Sequence, residues 1–355
     1  MVDDRVLHVI VMRSRGAPCM PAWRVMLESG DWRATAIHVP ARSMTPECKP
    51  YGKQGIPYGL HITALSQSEE RTMKANPLIS AQELSNLLDT ASNLVVCDCR
   101  FELTNPSQGL QLYNDGHIPG ARHVDLDQVL SIKGAPDEGR HPLPAREHFV
   151  RAMSAIGISN DTHVVCYDAN DSMFAARLWW MLRWIGHANV SVLDGGFNVW
   201  QQGGYPVTTE PPQPAKEGML ALRDSLTKTV DYEDVLANIN SAERMVIDAR
   251  SPDRFRGENE TLDPVGGHIP GAANRFFKDN LQADGTFKDA ETLRRELTTS
   301  LQGQNPERVI SQCGSGVTAC HNLLAMEVAG LSGAALYPGS WSQWSNTKGA
   351  PVGRE

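Results

Sequence analysis

Gly116-His117-Ile118-Pro119-Gly120-Ala121 occurs a second time in this chain, as Gly267-His268-Ile269-Pro270-Gly271-Ala272. Six identical residues at matching places in two halves of a sequence indicate one structural unit that is present twice. This repeat therefore decides how the rest of the chain is divided.

Each copy follows a short apolar run that ends in Asp-x-Arg, Leu94-Val95-Val96-Cys97-Asp98-Cys99-Arg100 in the first half and Met245-Val246-Ile247-Asp248-Ala249-Arg250 in the second. Such a run predicts a buried parallel strand with polar groups at its C-terminal end. In each half a second strand-like run follows, and then an amphipathic stretch of helical length, at 174–185 and 318–329. Strands that alternate with helices predict α/β domains, each a parallel sheet flanked by helices.

The repeat places a first domain at residues 76–205 and a second, catalytic domain at 225–350. Each opens on a capping-box pattern for a helix, Ser80 with Glu83 and Asp231 with Asp234. Residues 206–224 are expected to form an extended linker, because they begin with a stretch rich in proline and threonine.

Residues 1–75 differ from the rest of the chain. They have no convincing helical or strand periodicity and match neither a secretory signal nor a transit peptide. We expect an N-terminal extension that is disordered or not native, with Met73 as the native start.

Composition excludes several classes of function. The net charge is −8 with no block of like charges, so a nucleic-acid surface is not expected. No apolar run approaches the ~18–20 residues of a membrane span. The seven cysteines are odd in number and irregular in spacing, which favours reduced thiols in the cytoplasm. No metal site is expected, since Cys97 and Cys99 have a single residue between them, whereas paired zinc ligands usually have two to four.

The two halves differ in the loop after the second strand. The second half reads Gln312-Cys313-Gly314-Ser315-Gly316-Val317-Thr318, whereas the first half reads Tyr167-Asp168-Ala169-Asn170-Asp171-Ser172-Met173. Asp168 therefore stands at the position of Cys313, and only the second copy carries a nucleophile at this position.

The loop at Cys313 has the features of a reactive cysteine. Gly314 and Gly316 let the backbone curl tightly, and the following helix points its positive end at the loop. Both effects favour the nucleophilic thiolate, so we expect Cys313 to be catalytic, rather than a half-buried cysteine in a tight turn. Four other cysteines are expected in the core: Cys97, Cys99, Cys166 and Cys320.

The repeat and the cysteine loop resemble the tandem-domain rhodanese family over residues 76–345. The loop is similar to that of 3-mercaptopyruvate sulfurtransferases, whereas thiosulfate-preferring relatives carry two basic residues where Gly314 and Ser315 stand. The resemblance implies two tandem rhodanese-like domains that need no cofactor. Sulfur would pass from 3-mercaptopyruvate to Cys313 as a persulfide, with release of pyruvate, and then to cyanide or a thiol acceptor such as thioredoxin.

The resemblance also implies roles for individual residues. Ser315 would work with His141 and Asp127 in a proton relay, and Arg254 would hold the substrate carboxylate. The amides of Gly314, Gly316, Val317 and Thr318 would stabilise the anionic sulfur.

The chain departs from the family in one segment. Residues 258–264 lack the second carboxylate-binding arginine, and Arg275 is a candidate replacement by nearness in sequence only.

Three alternatives remain open. Thiosulfate could be the donor, or the second domain could be a non-catalytic sulfur carrier. A cysteine phosphatase is a third reading, which the absence of arginine between Cys313 and Cys320 disfavours.

Overall fold

The computed structural model describes residues 9–12, 24–27 and 76–354. In the N-terminal part of the chain, β1 (Val9–Met12) pairs with β2 (Arg24–Leu27) in antiparallel register. Apart from these two strands, the prediction of a disordered or non-native extension falls outside the described residues. It stays a prediction.

The first half of the remaining chain is built on a five-stranded sheet in which every pairing is parallel. Its strands are β3 (Leu78–Ile79), β4 (Leu94–Asp98), β5 (Arg122–His123), β6 (His163–Tyr167) and β7 (Val190–Leu193), in the order β3-β7-β6-β4-β5. Its α-helices are α1 (Ala81–Thr90), α2 (Gln108–Asp115), α3 (Arg146–Ala155), α4 (Met173–Trp184) and α5 (Gly196–Gln202). The apolar residues of α1 and α5 pack on one face of this sheet, and those of α3 and α4 on the other.

The second half repeats this order, again with parallel pairing throughout. Its strands are β8 (Lys228–Thr229), β9 (Met245–Asp248), β10 (Ala273–Asn274), β11 (Val309–Gln312) and β12 (Ala335–Leu336), in the order β8-β12-β11-β9-β10. Its α-helices are α6 (Tyr232–Ser241), α7 (Pro252–Phe255), α8 (Ala290–Ser300), α9 (Thr318–Val328) and α10 (Ser340–Asn346). The predicted α/β class, with helices on both faces of each sheet, is confirmed.

The repeated motif closes the same polar contact in both halves. Arg100 binds the Asp98 carboxylate and donates to the Gly116 carbonyl, where the first motif begins. Arg250 binds Asp248 and donates to the Gly267 carbonyl in the same way. Each Asp-x-Arg pair is thus a buried ion pair that ties the end of a strand to the motif that follows it, which explains why the two patterns occur together.

The helices α1 and α6 begin as predicted. Both capping boxes are present, with the Ser80 hydroxyl and the Asp231 carboxylate each accepting from the backbone three residues on. Residues 206–224 contain no helix or strand beyond an isolated bridge at Thr208. The expected domain boundaries stay predictions.

Helices α4 and α9 pack against each other, and each follows the loop that the sequence singled out in its half. The prediction that both are amphipathic was wrong. Nearly every residue of α4 and most of α9 are buried, because each helix lies between its own sheet and the other half of the molecule. The two loops are consequently brought to one cleft, where Met173 and Phe174 of the first half line the same cavity as Cys313.

Candidate active site

Cys313 lies directly beyond the C-terminal end of β11 and is 1% exposed. Its backbone is held on both sides by α10, since its N–H donates to the Ser340 hydroxyl at 3.1 Å and its carbonyl accepts from the Trp341 N–H at 2.9 Å. The nucleophile predicted from sequence is therefore fixed in place before any substrate arrives, at the strand end where open parallel sheets bind ligands.

The loop after Cys313 curls tightly because Gly316 permits it. Gly316 has φ +77°, and a Cβ at this position would lie 2.5 Å from the Pro338 carbonyl oxygen. Within residues 76–354, the N–H groups of residues 314–318 have no hydrogen-bond acceptor. We call these five residues the cradle. A row of unpaired amides at the start of a helix is suited to holding an anion.

The first half shows what such a loop does when it holds an anion. In both halves the helix begins at the fifth residue after the compared position, at Met173 and at Thr318. The Asp168 carboxylate accepts four backbone N–H bonds of 2.8–2.9 Å, from Asn170, Ser172, Phe174 and Ala175. The first loop is thus filled by its own carboxylate, whereas the cradle amides of residues 314–318 have no acceptor within residues 76–354.

The structure brings two of the three predicted relay residues into contact and the third close to them. The Ser315 hydroxyl lies 2.7 Å from Nδ1 of His141, across the boundary between the halves. Nε2 of His141 lies 3.8 Å from Oδ1 of Asp127, beyond hydrogen-bond distance.

Burial, together with the neighbouring charges of Arg140 and Arg177, lowers the pKa of His141 to about 3. Burial also raises the pKa of Asp127, as does the nearby Asp125. At neutral pH His141 is therefore a neutral imidazole. It can exchange a hydrogen bond with Ser315, but it is a weak base for removing a proton outright.

Two guanidinium groups converge above Gly314. A Cβ on Gly314 would lie 3.3 Å from Nη2 of Arg140 and 3.6 Å from both terminal nitrogens of Arg254. Arg254 is the predicted carboxylate ligand, and Arg140 comes from the loop that also carries His141. Any side chain at Gly314 would enter the space that these two cations share.

Both cations also have carboxylate partners. Nη2 of Arg254 lies 2.8 Å from Glu260, and Nη1 of Arg140 lies 2.7 Å from Asp263. Asp263 is also 3.5 Å from Arg254, and it is 1% exposed. Burial raises the pKa of Asp263, while Arg140 lowers it. A substrate anion must therefore share Arg140 and Arg254 with these acids.

A cavity of about 240 Å³ joins these groups. Cys313, Gly314, Ser315, Val317 and Thr318 line one side, and the three arginines at positions 140, 250 and 254 line another. The remaining wall is apolar: Leu103, Met173, Phe174, Leu262, Phe276 and Phe277. The arrangement suits a small anion that carries a short apolar portion.

Some residues were placed wrongly or missed by sequence reasoning. Arg275 does not line the cavity, because its guanidinium binds Asn280 and Glu296. Gly316 shapes the loop without lining the cavity. Arg140 was not assigned a role, although its place beside His141 was a usable signal. Ser340, which anchors the Cys313 N–H, gave no recognisable signal.

A model of the rhodanese-like domain matches this chain twice, at residues 80–203 and 231–347. This chain belongs to the rhodanese family. A protein of Pseudomonas aeruginosa named "Probable 3-mercaptopyruvate sulfurtransferase" is 40% identical over 284 residues, which are 79% of this chain and 99% of the relative. The thiosulfate sulfurtransferase of Cricetulus griseus is 38% identical over 276 residues, 75% of this chain and 91% of the relative.

Solved structures agree with these relatives. The 3-mercaptopyruvate sulfurtransferase from Leishmania major has a TM-score of 0.69 at 29% identity, over 78% of this chain and 75% of its own. SseA from Escherichia coli has a TM-score of 0.65 at 32% identity, over 75% of this chain and 99% of its own. The predicted family, the tandem fold and the enzyme class, a sulfurtransferase, are confirmed.

Two features are absent from the described part of this rhodanese. None of its helices combines the length and apolar character needed to cross a membrane. Its His, Cys, Asp and Glu side chains form no group of three or more that could hold a metal ion.

Proposed function

We propose that this rhodanese moves sulfur from 3-mercaptopyruvate to a thiol acceptor through a persulfide on Cys313. The observation that carries the proposal is the convergence of Arg140 and Arg254 above Gly314, beside Cys313 and the unfilled cradle. Two guanidinium groups suit the carboxylate of the donor, since each can meet it with charged hydrogen bonds. The Cys313 sulfur then lies within the same small cavity as the thiol end of the donor.

The Cys313 thiolate attacks the donor sulfur and forms an S–S bond. The C–S bond of the donor breaks, and its electron pair stays on carbon to give the enolate of pyruvate. The enolate takes up one proton and leaves as pyruvate, while Cys313 keeps the outer sulfur as a persulfide. An acceptor thiolate then attacks that outer sulfur and releases the Cys313 thiolate.

Negative charge develops at two places during this step, and the described residues offer donors for both. The cradle amides can stabilise the anionic sulfur, because they have no other acceptor within residues 76–354. The Ser315 hydroxyl can donate to the enolate oxygen and pass a proton on, held in position by neutral His141. Asp127 would steady the far side of the imidazole. Its distance of 3.8 Å makes it the weakest member of the proposed relay.

The donor choice rests on charge. A basic side chain at Gly314 or Ser315, as in thiosulfate-preferring relatives, would add a cation beside Arg140 and Arg254. This chain adds acids instead, since Glu260 and Asp263 partly neutralise the two arginines. A doubly charged donor loses more from that neutralisation than a singly charged carboxylate does. Thiosulfate is therefore the second candidate donor.

The acceptor and the location are proposed more broadly. Five cysteines among the described residues are free thiols, which favours a reducing cytoplasm and an acceptor of the thioredoxin type. Thioredoxin would reach Cys313 after pyruvate has left the cavity.

The decisive experiment is intact-mass analysis after incubation with 3-mercaptopyruvate. We expect one added sulfur, mapped to Cys313 and absent from the C313S variant. A steady-state comparison of kcat/KM for 3-mercaptopyruvate and thiosulfate then decides the donor. A clear preference for thiosulfate would remove the assignment, and labelling of C313S would exclude Cys313 as the carrier.

A further inference from the structure

Arg177 is a fully buried arginine on α4 that belongs to the first half of the molecule and reaches the catalytic loop of the second. Its Nη1 donates to the Gly316 carbonyl at 3.0 Å. Its Nη2 donates to the carbonyls of Leu130 at 3.3 Å and His141 at 3.2 Å. Its Nε has no partner in the described structure. One guanidinium thus holds both the cradle and the histidine that contacts Ser315.

The hydrogen bond to Gly316 orients the cradle. The peptide bond is planar and trans, so the Val317 N–H points away from the side on which Arg177 holds the Gly316 carbonyl. Val317 lines the cavity that contains Cys313. Arg177 therefore fixes the direction of the Val317 N–H by binding the carbonyl of the same peptide bond. It also fixes the backbone of His141 by binding the His141 carbonyl.

The charge of Arg177 has no carboxylate partner among residues 76–354, although the side chain is 0% exposed. A buried cation is costly unless an anion balances it. The three arginines that line the cavity all have such partners: Arg140 pairs with Asp263, Arg250 with Asp248, and Arg254 with Glu260. Arg177 has no such partner among residues 76–354, so an anion close to it would lower the cost of burying its charge.

Few groups near Arg177 can supply that anion. Burial raises the pKa of the Cys320 thiol to about 12, so this neighbour stays neutral and donates to the Gly316 carbonyl at 3.3 Å. His141 is neutral, since burial lowers its pKa to about 3. Burial lowers the pKa of Arg177 itself, and Cys320 and Cys313 act on it in the opposite direction. Among these groups Cys313 is the one whose chemistry requires an anionic state.

We propose that Arg177 is a positioning residue for sulfur transfer, whose buried charge is balanced by the anionic sulfur of Cys313 and whose three hydrogen bonds align the cradle with His141. The proposal rests on the proposed function only in taking Cys313 as the reactive sulfur. It goes further by assigning to the first half an electrostatic part in a reaction whose nucleophile lies in the second.

A double-mutant cycle between Arg177 and Cys313 tests the charge balance. The variants are R177M, C313S and the combination, and the measurement is denaturant unfolding between pH 6 and pH 9. Serine cannot carry the negative charge that the proposal assigns to Cys313, so C313S should lose stability relative to wild type, and this loss should grow with pH. In the R177M background this growth with pH should disappear. An equal pH dependence in both backgrounds would overturn the proposal.

Alkylation of Cys313 by iodoacetamide, followed by mass spectrometry, tests the same interaction without a sulfur donor. The midpoint of the pH dependence should move up by about one pH unit in R177M, as expected on loss of a nearby opposite charge. R177K should keep the midpoint near wild type but lower kcat, because an ammonium cannot hold three carbonyls in fixed directions. R183M on the same helix is the matched control, since Arg183 has the Glu327 carboxylate as a partner.

These measurements separate the possible failures. If Arg177 were only structural, R177M and R177K would both lose activity with no movement of the alkylation midpoint. If R177M does not fold, the proposal is tested by the stability of C313S in the wild-type background and by the alkylation midpoint of R177K. A stability difference between C313S and wild type that did not change with pH would overturn the proposal. If the proposed donor is wrong, 3-mercaptopyruvate adds no sulfur to the wild type while the alkylation result is unchanged.

Discussion

Replacing Arg140 by methionine removes one of the two guanidinium groups that meet above Gly314 while keeping the length and apolar stem of the side chain. A hydrogen bond to a charged group contributes about 1.5–3 kcal/mol. At about 1.4 kcal/mol for each factor of ten, this corresponds to a loss of roughly 10- to 140-fold in kcat/KM for 3-mercaptopyruvate. We expect a value near the lower end, because Arg140 is 29% exposed and already pairs with Asp263.

The companion variants isolate this effect. R140M leaves Asp263 with its longer 3.5 Å contact to Arg254, so R140M/D263N should be measured beside it. D263N alone should raise kcat/KM, since it frees Arg140 for the substrate carboxylate. R256M is the matched control on the same segment as Arg254. Arg256 is exposed and pairs with Glu258, and its loss should leave kcat/KM unchanged.

The assay is pyruvate release at several donor concentrations, repeated with mercaptoacetone, which has the thiol and ketone of 3-mercaptopyruvate but no carboxylate. R140M should impair the first donor and leave the second nearly unaffected. An equal loss with both donors would refute the assignment of Arg140 as a carboxylate ligand, as would a loss of the same size in R256M.

Three further predictions concern the loop and its partners. H141Q should reduce the loss of stability on acidification, because a histidine with a folded pKa of about 3 destabilises the fold as pH falls from about 6.5 towards 3, by at most about 1.4 kcal/mol per pH unit. Urea unfolding at pH 4 and pH 7 measures this loss, and an equal loss in H141Q and wild type would contradict the prediction. G316A should lower stability by about 1–3 kcal/mol and reduce turnover, because its Cβ would clash with the Pro338 carbonyl and its φ is positive. Denaturant unfolding and activity assays measure both effects, and wild-type values in both would show that the loop can relax. C313D should be inactive but more stable than C313N, because a carboxylate can fill the cradle amides as Asp168 does, and thermal unfolding in which C313N matched or exceeded C313D would argue against an anion cradle.

The fold could be predicted because the same pattern of strand and motif occurs in both halves of the sequence. An apolar run ending in Asp-x-Arg followed by the Gly-His-Ile-Pro-Gly-Ala motif is one physical unit, in which Arg100 and Arg250 each bind a motif carbonyl. The two-residue edge strands, such as β5 and β10, could not be read in this way, since so short a run has no periodicity. The burial of α4 and α9 on all sides was also inaccessible, because it depends on how the halves pack.

The candidate site was predictable where its residues share a loop and obscure where they do not. Cys313, Ser315 and the cradle lie on one stretch of chain, so glycine spacing revealed them. Arg140 reaches Gly314 from the other half of the molecule, and nearness in sequence pointed to Arg275, which serves Asn280 and Glu296 instead. No local pattern distinguishes an arginine that faces a cleft from one that faces its own domain.

The comparison of the two loops gives the first half a definite part in the chemistry. The Asp168 carboxylate already accepts the amides of its own loop, so that loop can bind no sulfur or other anion from outside. On the helix that follows this loop, Phe174 nevertheless lines the cavity, and Arg177 donates to the Gly316 carbonyl of the cradle. Arg140 and His141 reach the same site from a neighbouring loop. The guanidinium of Arg177 is buried at this boundary with no carboxylate partner among residues 76–354. Burying that charge is costly without an anion nearby, so a purely structural role for the first half does not explain it. We therefore propose that Cys313 is the nucleophile of a site that both halves complete.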